Sequence, residues 1–178
     1  IEGIEWDYVI DVSCYYPADL SIVLACINQN VKNYIFVSTC SVYDTDLPLL
    51  ARDEKSPILT CSEAESIDTT NASYGNRKAA CELILSSSSI NHTILRPALV
   101  FGQYDHTDRF YYWLYQVHSY NQLLVPNLGS SLFSVTYVHD LVNAITLSMN
   151  QQSSSVIYNV TSKIQFSITQ LIERAEEL

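Results

Sequence analysis

The feature that most constrains the fold is the alternation of short apolar runs with segments of helical periodicity. Runs at 8–10, 34–37 and 93–95 are rich in β-branched and aromatic residues and are bounded by polar ones. Such runs are typical of strands buried on both faces of a parallel sheet. Because helix-like segments separate them, the sequence predicts βαβ units, an α/β fold and an open parallel sheet.

A tyrosine and a lysine stand four residues apart at the start of one predicted helix. Residues at this spacing share a helix face, so Tyr74 and Lys78 can point at one small volume. A phenol has a reference pKa of about 10, and a nearby ammonium lowers the pKa. The pair can therefore form a proton-transfer group. A tyrosine and a lysine at this spacing are also common by chance on a solvated helix face, and for the pair taken alone that reading is favoured.

Polar clusters follow two of the predicted strands at the points where the strands end. Residues 38–41 read Ser-Thr-Cys-Ser after the second strand, and Arg96 follows the third. Open parallel sheets bind ligands beyond the carboxyl ends of their strands, so we expect Thr39, Tyr74 and Lys78 to meet there. The alternatives are that Thr39 caps a strand end and that the fork of Arg96 ties strand to loop.

The charge balance excludes several classes of partner. Nine Lys and Arg stand against 19 Asp and Glu, which gives a net charge of −10. This balance disfavours nucleic acid and an anionic membrane surface as partners. No apolar run approaches the roughly 20 residues of a membrane span, and we expect no signal peptide.

The cysteines and histidines predict neither a metal site nor a disulfide framework. The five cysteines are odd in number and form no C-x-x-C pair, and His92, His106 and His118 lack metal-ligand spacing. Scattered cysteines are typical of small buried side chains in a reducing compartment, so we expect a cytoplasmic location.

Five segments in order resemble the extended short-chain dehydrogenase/reductase superfamily, in its NAD-dependent epimerase/dehydratase branch. They are Asp7-Tyr8-Val9-Ile10-Asp11-Val12-Ser13, Phe36-Val37-Ser38-Thr39-Cys40-Ser41-Val42-Tyr43, Tyr74-x-x-x-Lys78, Leu95-Arg96-Pro97-Ala98-Leu99-Val100-Phe101-Gly102 and Tyr137-Val138-His139-Asp140-Leu141. The resemblance implies a partial Rossmann-like, doubly wound parallel sheet. Residues 1–102 would form the C-terminal part of an NAD(P)-binding domain. Residues 103–178 would form a small substrate-binding region with returning sheet elements, in the same structural unit.

The resemblance also implies roles for individual residues. Thr39, Tyr74 and Lys78 match the family's catalytic positions, with Tyr74 as acid/base and Lys78 holding the nicotinamide ribose and lowering the tyrosine's pKa. The cofactor would be NAD or NADP. The positions that match cofactor-contacting segments are Val12, Ser13, Ser38, Tyr74, Lys78, Pro97 and Val100. Thr39 would also bind the substrate oxygen.

Two departures from the family pattern matter. The glycine-rich loop G-x-x-G-x-x-G that brings the backbone to a pyrophosphate is absent, so we expect the first part of the fold to be missing from this chain. Phe133 stands seven residues before Asp140, where many nucleotide-sugar epimerases have an arginine. Phe133, a short segment between Ser13 and Lys32 and the aromatic run Phe110-Tyr111-Tyr112-Trp113 together resemble an atypical branch that includes the chloroplast stem-loop-binding proteins and their bacterial relatives.

The leading hypothesis is that the chain is an epimerase, dehydratase or reductase that acts on a sugar-like small molecule. It is either an active enzyme or the remnant of one. A nucleotide sugar is one candidate substrate, and a homodimer is left open. The alternative is a non-catalytic RNA-binding module of the same fold, which should show a basic stripe. A truncated product without independent function is the third reading.

Several residues carry two readings each. Arg109 either binds an anionic substrate group or pairs with Asp105 or Asp108. Asp11 either touches a cofactor ribose or accepts from backbone amides at a strand end. For Asp140, a structural role at the start of a loop or helix is favoured over a catalytic one. The aromatic cluster at 111–115 is read as core or as a lid over a substrate pocket.

Overall fold

A computed structural model describes residues 3–27, 30–44, 52–150 and 155–177. The strands are β1 (Trp6–Asp11), β2 (Val31–Val37), β3 (His92–Pro97), β4 (Leu99–Phe101), β5 (Leu132–Phe133), β6 (Val135–Tyr137), β7 (Val156–Val160) and β8 (Phe166–Ser167). The helices are α1 (Pro17–Ile27), α2 (Glu63–Ile67), α3 (Tyr74–Ser87), α4 (Tyr111–Ser119), α5 (Val138–Met149) and α6 (Ile168–Glu176). Short 3₁₀ turns cover Cys40–Val42 and Pro126–Gly129.

The main sheet has four strands in the order β1-β2-β3-β7, and every neighbouring pair is parallel. Helices connect consecutive strands, as parallel pairing requires. This arrangement confirms the predicted α/β class with an open parallel sheet. The carboxyl ends of the four strands lie at one edge of the sheet, which is where a ligand is expected.

The principal core lies between this sheet and helices α1 and α3. Leu20 and Leu24 of α1 and Leu85 of α3 pack with Phe36 and Ile94 of the central strands. Helix α1 begins at Pro17, whose fixed φ and missing N–H suit the first helical position. These contacts fix α3, and therefore Tyr74 and Lys78, against β2 and β3.

The opposite face of the sheet is covered by α5, which packs on β2, β3 and β7. β7 comes from the C-terminal region of the chain yet pairs with β3 in the main sheet. Two small sheets, β4 with β6 and β5 with β8, flank it. The division of the chain at residue 102 stays a prediction.

None of the helices within the described ranges is both long and apolar enough to cross a membrane.

One expectation is wrong: the first strand is not buried on both faces. In β1, Trp6, Tyr8 and Ile10 expose 38%, 36% and 43% of their surface, while Val9 packs against the core. β1 lies at the border of the main sheet, and alternate side chains of a strand point to opposite faces. The apolar run was read correctly as a strand, but a run of this kind does not reveal whether a helix layer covers both faces.

Helix α3, which carries Tyr74, should tolerate substitutions on its exposed face and lose stability when its buried face is changed. Leu85 is fully buried and Leu83 is 52% exposed on the same helix. We expect Leu85→Ala to lower the free energy of unfolding by about 2–5 kcal/mol, because it leaves a cavity in the core. The matched change Leu83→Ala should cost about 0.5 kcal/mol or less. Urea denaturation of both variants measures the difference, and equal losses would contradict this packing.

Candidate functional site

A cleft of about 1200 Å³ opens at the carboxyl ends of the strands of the main sheet. Each of the four strand ends contributes to its wall: Val12 after β1, Ser38 and Thr39 after β2, Pro97 at the end of β3, and Thr161 after β7. Tyr74 and Lys78 of α3 also line it. The sequence-predicted trio of Thr39, Tyr74 and Lys78 therefore does converge on one cavity.

Tyr74 is the first residue of α3, and its phenol meets the side chain of Thr39. Burial raises the pKa of Tyr74 above its usual value, and the neighbouring Thr39 side chain opposes that rise. The Thr39 hydroxyl is itself fixed, because it accepts a hydrogen bond from the backbone N–H of Ser41 at 3.1 Å. The two hydroxyls thus face each other, with the phenol protonated near neutral pH.

Lys78 lies one helical turn deeper and is 2% exposed. Its ammonium donates to the backbone carbonyls of Cys14 and Val37, each at 2.8 Å, and lies 3.9 Å from the centre of the Phe36 ring. Burial lowers the pKa of Lys78. The expectation that Lys78 depresses the pKa of Tyr74 is not realised here, since the tyrosine's net shift is upward and the ammonium is bound to two carbonyls.

The start of α3 is held close to the turn that carries Thr39. A Cβ atom at Gly75 would collide with the backbone carbonyl oxygen of Ser41, so only glycine allows this approach. Just before the helix, the Asp68 carboxylate accepts from the hydroxyls of Thr70 and Ser73 at 2.7 and 2.6 Å. These bonds lower the pKa of Asp68 to about 2 and fix the segment that leads into Tyr74.

Two polar residues near the site have structural partners. The Asp11 carboxylate accepts from the backbone N–H groups of Ser13 and Cys14 at 3.1 and 2.9 Å, and from the Tyr34 hydroxyl at 2.6 Å. Arg96 is 2% exposed and forms a buried ion pair with Glu82 of α3. Both contacts agree with the structural readings of Asp11 and Arg96 rather than with ligand binding.

The remaining expected cofactor contacts divide into two groups. Val12, Pro97 and Val100 line the cleft. Ser38 also lines it, but its hydroxyl donates to Glu82 at 2.5 Å. Ser13 is exposed beside Val12 and is not among the cleft-lining residues.

The cleft carries a positive charge excess in an acidic chain. Among the described residues that line it are four of the chain's nine Lys and Arg and no Asp or Glu; the four are Arg52, Lys78, Arg109 and Lys163. Charged walls of one sign around a concave site attract ligands of the opposite sign. The cleft is therefore suited to an anion, although the net charge of the chain is −10.

Arg109 lines the cleft. Its Nε donates to the Thr107 hydroxyl at 3.0 Å, and its charge acts to lower the pKa of Tyr74 against the rise caused by burial. The ion pairs found among the described residues do not include Arg109 with Asp105 or Asp108. The Arg109 charge also acts to lower the pKa of Asp105, after the hydrogen bonds from Thr107, so the ligand-binding reading of Arg109 stays a prediction.

The aromatic residues 111–115 and Asp140 are not among the residues that line this cavity, although Leu141, next to Asp140, is. Tyr111, Tyr112 and Tyr115 are 60%, 49% and 48% exposed on α4, so they are not core, and they are absent from the cleft wall. Asp140 lies in the first turn of α5, where a carboxylate suits the helix dipole. The lid reading of the cluster stays a hypothesis.

Sequence reasoning missed one wall of the cleft, the loop that follows β7. This loop contributes Thr161, Ser162, Lys163 and Gln165, and Asn159 of β7 lies beside it. The sequence does carry a signal for this loop, namely its position: a polar segment that follows a parallel strand lies at the ligand-binding edge of the sheet.

Comparison with protein families gives a match over most of the chain. The profile of the "NAD dependent epimerase/dehydratase family" matches residues 16–161. Among curated proteins, the chain is 23% identical over 159 residues to the chloroplast stem-loop binding protein of 41 kDa b of Arabidopsis thaliana. It is 25% identical over 155 residues to the protein YbjS of Escherichia coli (strain K12). These matches cover 89% and 81% of this chain but 39% and 42% of the relatives.

Solved structures share the fold. A UDP-N-acetylglucosamine 4-epimerase from Methanobrevibacter ruminantium M1 superposes with a TM-score of 0.72 at 23% identity, covering 94% of this chain and 58% of that one. A dTDP-glucose 4,6-dehydratase from Bacillus anthracis, solved with NAD, gives 0.76 at 15% identity, covering 96% and 56%. At these identities the likeness establishes the fold, and this chain spans little more than half of either structure.

The close approach of α3 to the Thr39 turn can be tested at Gly75. We expect Gly75→Ala to lower the free energy of unfolding by roughly 1–3 kcal/mol, because the added methyl group pushes the helix start from the Ser41 carbonyl. Ser86→Ala, on the exposed side of the same helix, should be neutral or slightly stabilising. Thermal denaturation followed by circular dichroism compares the two, and a stabilised Gly75→Ala variant would contradict the contact.

Proposed function

Because this chain belongs to the NAD-dependent epimerase/dehydratase family, we propose that it forms the catalytic half of an NAD(P)-dependent epimerase, dehydratase or reductase. The proposed substrate is a sugar-like molecule that reacts at a carbinol or keto carbon. Thr39, Tyr74 and Lys78 are the proposed catalytic residues.

The observation that carries the proposal is the meeting of the Thr39 and Tyr74 side chains above a buried lysine. The two groups lie 35 positions apart in the sequence and come from different elements, yet both line one cleft, and the Thr39 side chain is close enough to act on the pKa of Tyr74. A positioned acid/base beside a hydroxyl that can orient a substrate oxygen is what proton transfer at a carbinol requires.

The pKa of Tyr74 sets the direction in which the site works most readily. Because burial raises the pKa, the phenol holds its proton near neutral pH and acts first as an acid toward a keto oxygen. Thr39 would orient that oxygen by a hydrogen bond. For the reverse direction, Tyr74 must lose its proton, so alkaline pH should favour oxidation of the carbinol.

The residues present fit one end of a nicotinamide dinucleotide. Val12, Pro97 and Val100 give the cleft an apolar wall beside Lys78, which suits the nicotinamide and its ribose. The described glycines form no phosphate-binding turn, since Gly75 packs on Ser41 and Gly102 on Val138. When bound, the nicotinamide would accept or donate the hydride. We therefore assign to this chain the nicotinamide end of the site and not the pyrophosphate end.

The cations of the cleft favour a substrate with an anionic group, such as a nucleotide sugar. Arg109 and Lys163 lie on its wall, whereas Phe133 occupies the position where many nucleotide-sugar epimerases have an arginine. A guanidinium can bind a phosphate or carboxylate through two parallel hydrogen bonds. Arg109 is therefore the proposed anchor of the anionic group.

RNA binding is the weaker candidate. One curated relative is named as a stem-loop binding protein, at 23% identity. RNA contacts require basic surface, and this chain has only 9 Lys and Arg against 19 Asp and Glu. Four of those nine cations line the cleft rather than an extended stripe.

The first test uses the full-length gene product that contains this chain. Calorimetric titration with NADH and NADPH should detect binding of one of them. Tyr74→Phe should lower kcat about 10²–10⁴-fold with UDP-glucose as the probe substrate, because it removes the proton-transfer group, and should leave cofactor affinity nearly unchanged. Stopped assays of sugar conversion measure kcat.

Tyr15→Phe is the matched control, since Tyr15 lines the cleft and its ring centre lies 6.1 Å from that of Tyr74. Loss of one hydroxyl there should change kcat little. Absence of binding of either dinucleotide, or full turnover by Tyr74→Phe, would remove the enzyme proposal.

The anion anchor has its own test. We expect Arg109→Gln to raise KM for UDP-glucose by roughly 10- to 100-fold, the effect of losing a charged hydrogen bond, with a smaller change in kcat. Lys55→Gln removes an exposed charge outside the cleft and should leave KM unchanged. Initial rates at several substrate concentrations give both constants. An unchanged KM in Arg109→Gln would exclude this role.

A further inference from the structure

A buried ion pair lies directly behind the candidate site. Glu82 of α3 and Arg96 of β3 are each 2% exposed, and the Arg96 Nη2 donates to the Glu82 Oε2 at 2.6 Å, with Nε donating to Oε1 at 3.0 Å. The Ser38 hydroxyl also donates to the Glu82 Oε1, at 2.5 Å. A single carboxylate therefore joins the helix to two adjacent strand ends.

The arginine extends this network to the other side of the site. Its Nη1 donates to the Tyr43 hydroxyl at 3.0 Å, and that hydroxyl donates to the Asn159 Oδ1 at 2.5 Å. Asn159 belongs to β7, so the network reaches a third strand. Neither Glu82 nor Arg96 lines the cleft, whereas Ser38, Tyr43 and Asn159 do.

One face of α3 meets the end of β2 residue by residue. Tyr74, Lys78 and Glu82 follow each other at a spacing of four and therefore share that face. Lys78 donates to the carbonyl of Val37, Glu82 accepts from the hydroxyl of Ser38, and Tyr74 lies beside Thr39. Three consecutive residues at the strand end thus each meet a different residue of the same helix face.

We infer that Glu82, paired with Arg96, is a positioning residue that fixes Ser38 and thereby holds the Thr39 hydroxyl against Tyr74. The catalytic use of this positioning rests on the proposed function, whereas the contacts are present in the chain without cofactor or substrate. Ser38 is covalently next to Thr39, so displacement of its hydroxyl from Glu82 moves the turn that carries Thr39.

Burial of a salt bridge is by itself a poor way to stabilise a fold. Removing two charges from water costs about as much as their attraction returns, and apolar side chains of similar size often serve as well. A bidentate contact does fix direction and distance, because the guanidinium fork matches the carboxylate plane. Such geometry is consistent with a role in placing Ser38 rather than in stability alone.

The test separates position from stability in the chain itself, without cofactor or substrate. Glu82→Gln keeps the shape of the side chain and removes its charge. We expect exchange of the Ser41 amide hydrogen, which bonds the Thr39 hydroxyl, to become about tenfold faster, and the Thr39 methyl resonance to move. Hydrogen exchange and methyl spectra recorded by NMR below the unfolding transition measure both.

Leu85→Ala is the matched control, since Leu85 lies on the same helix about one turn from Glu82, belongs to the apolar core and takes no part in the hydrogen bonds of the network. It should lower Tm while leaving the Ser41 and Thr39 signals in place. The double variant Glu82→Met/Arg96→Leu should recover part of the Tm lost in Glu82→Gln and still show both displaced signals. If Glu82→Gln does not fold, Arg96→Lys, which keeps the charge and loses the fork, should show smaller displacements of the same two signals.

Unchanged Ser41 exchange and an unmoved Thr39 methyl in a folded Glu82→Gln or Arg96→Lys variant would overturn the inference. Equal displacement of these signals in Leu85→Ala would also overturn it, because the effect would then follow stability alone. Neither outcome depends on dinucleotide binding, so a failure of the proposed function and a failure of this inference are seen in different measurements.

Discussion

The contact on which the site depends is that of the Lys78 ammonium with two backbone carbonyls. Its donors reach Cys14 after β1 and Val37 at the end of β2, so one side chain of α3 ties two adjacent strand ends together. Unpaired carbonyls at such a position would be costly to bury, and an ammonium without partners would cost more. The helix therefore has one favoured register on the sheet, and Tyr74 is brought to Thr39 by that register.

The negative and positive charges of this chain are distributed differently between its surface and its cleft. The surface carries most of the 19 carboxylates, which keep the net charge at −10, whereas the cleft is lined by cations. Because the cleft is concave, its field is less screened than that of the exposed surface. A small anion can thus be attracted to a protein that repels large polyanions, and this contrast agrees better with a small-molecule site than with a nucleic-acid surface.

Much of the architecture was predictable because strands and helices leave periodic signals. The runs at β2 and β3 and the spacing of Tyr74 and Lys78 predicted both the parallel sheet and the residues that meet at its edge. Contacts that depend on tertiary packing were not predictable. The exposure of Trp6 follows from where the helix layers end, and the pairing of Glu82 with Arg96 joins residues 14 positions apart in different elements. No local sequence pattern specifies the exposure of Trp6 or the pairing of Glu82 with Arg96.

The border of the main sheet has a consequence for handling the polypeptide. Among the described residues no strand lies beside the outer side of β1, and that strand exposes Trp6, Tyr8 and Ile10. An open edge with apolar side chains is a template for pairing with another extended chain. Mutual repulsion of the acidic molecules opposes such pairing, over a range of about 10 Å at 0.1 M salt. Colloidal behaviour will therefore be governed by ionic strength, with concentrated salt promoting edge-to-edge association.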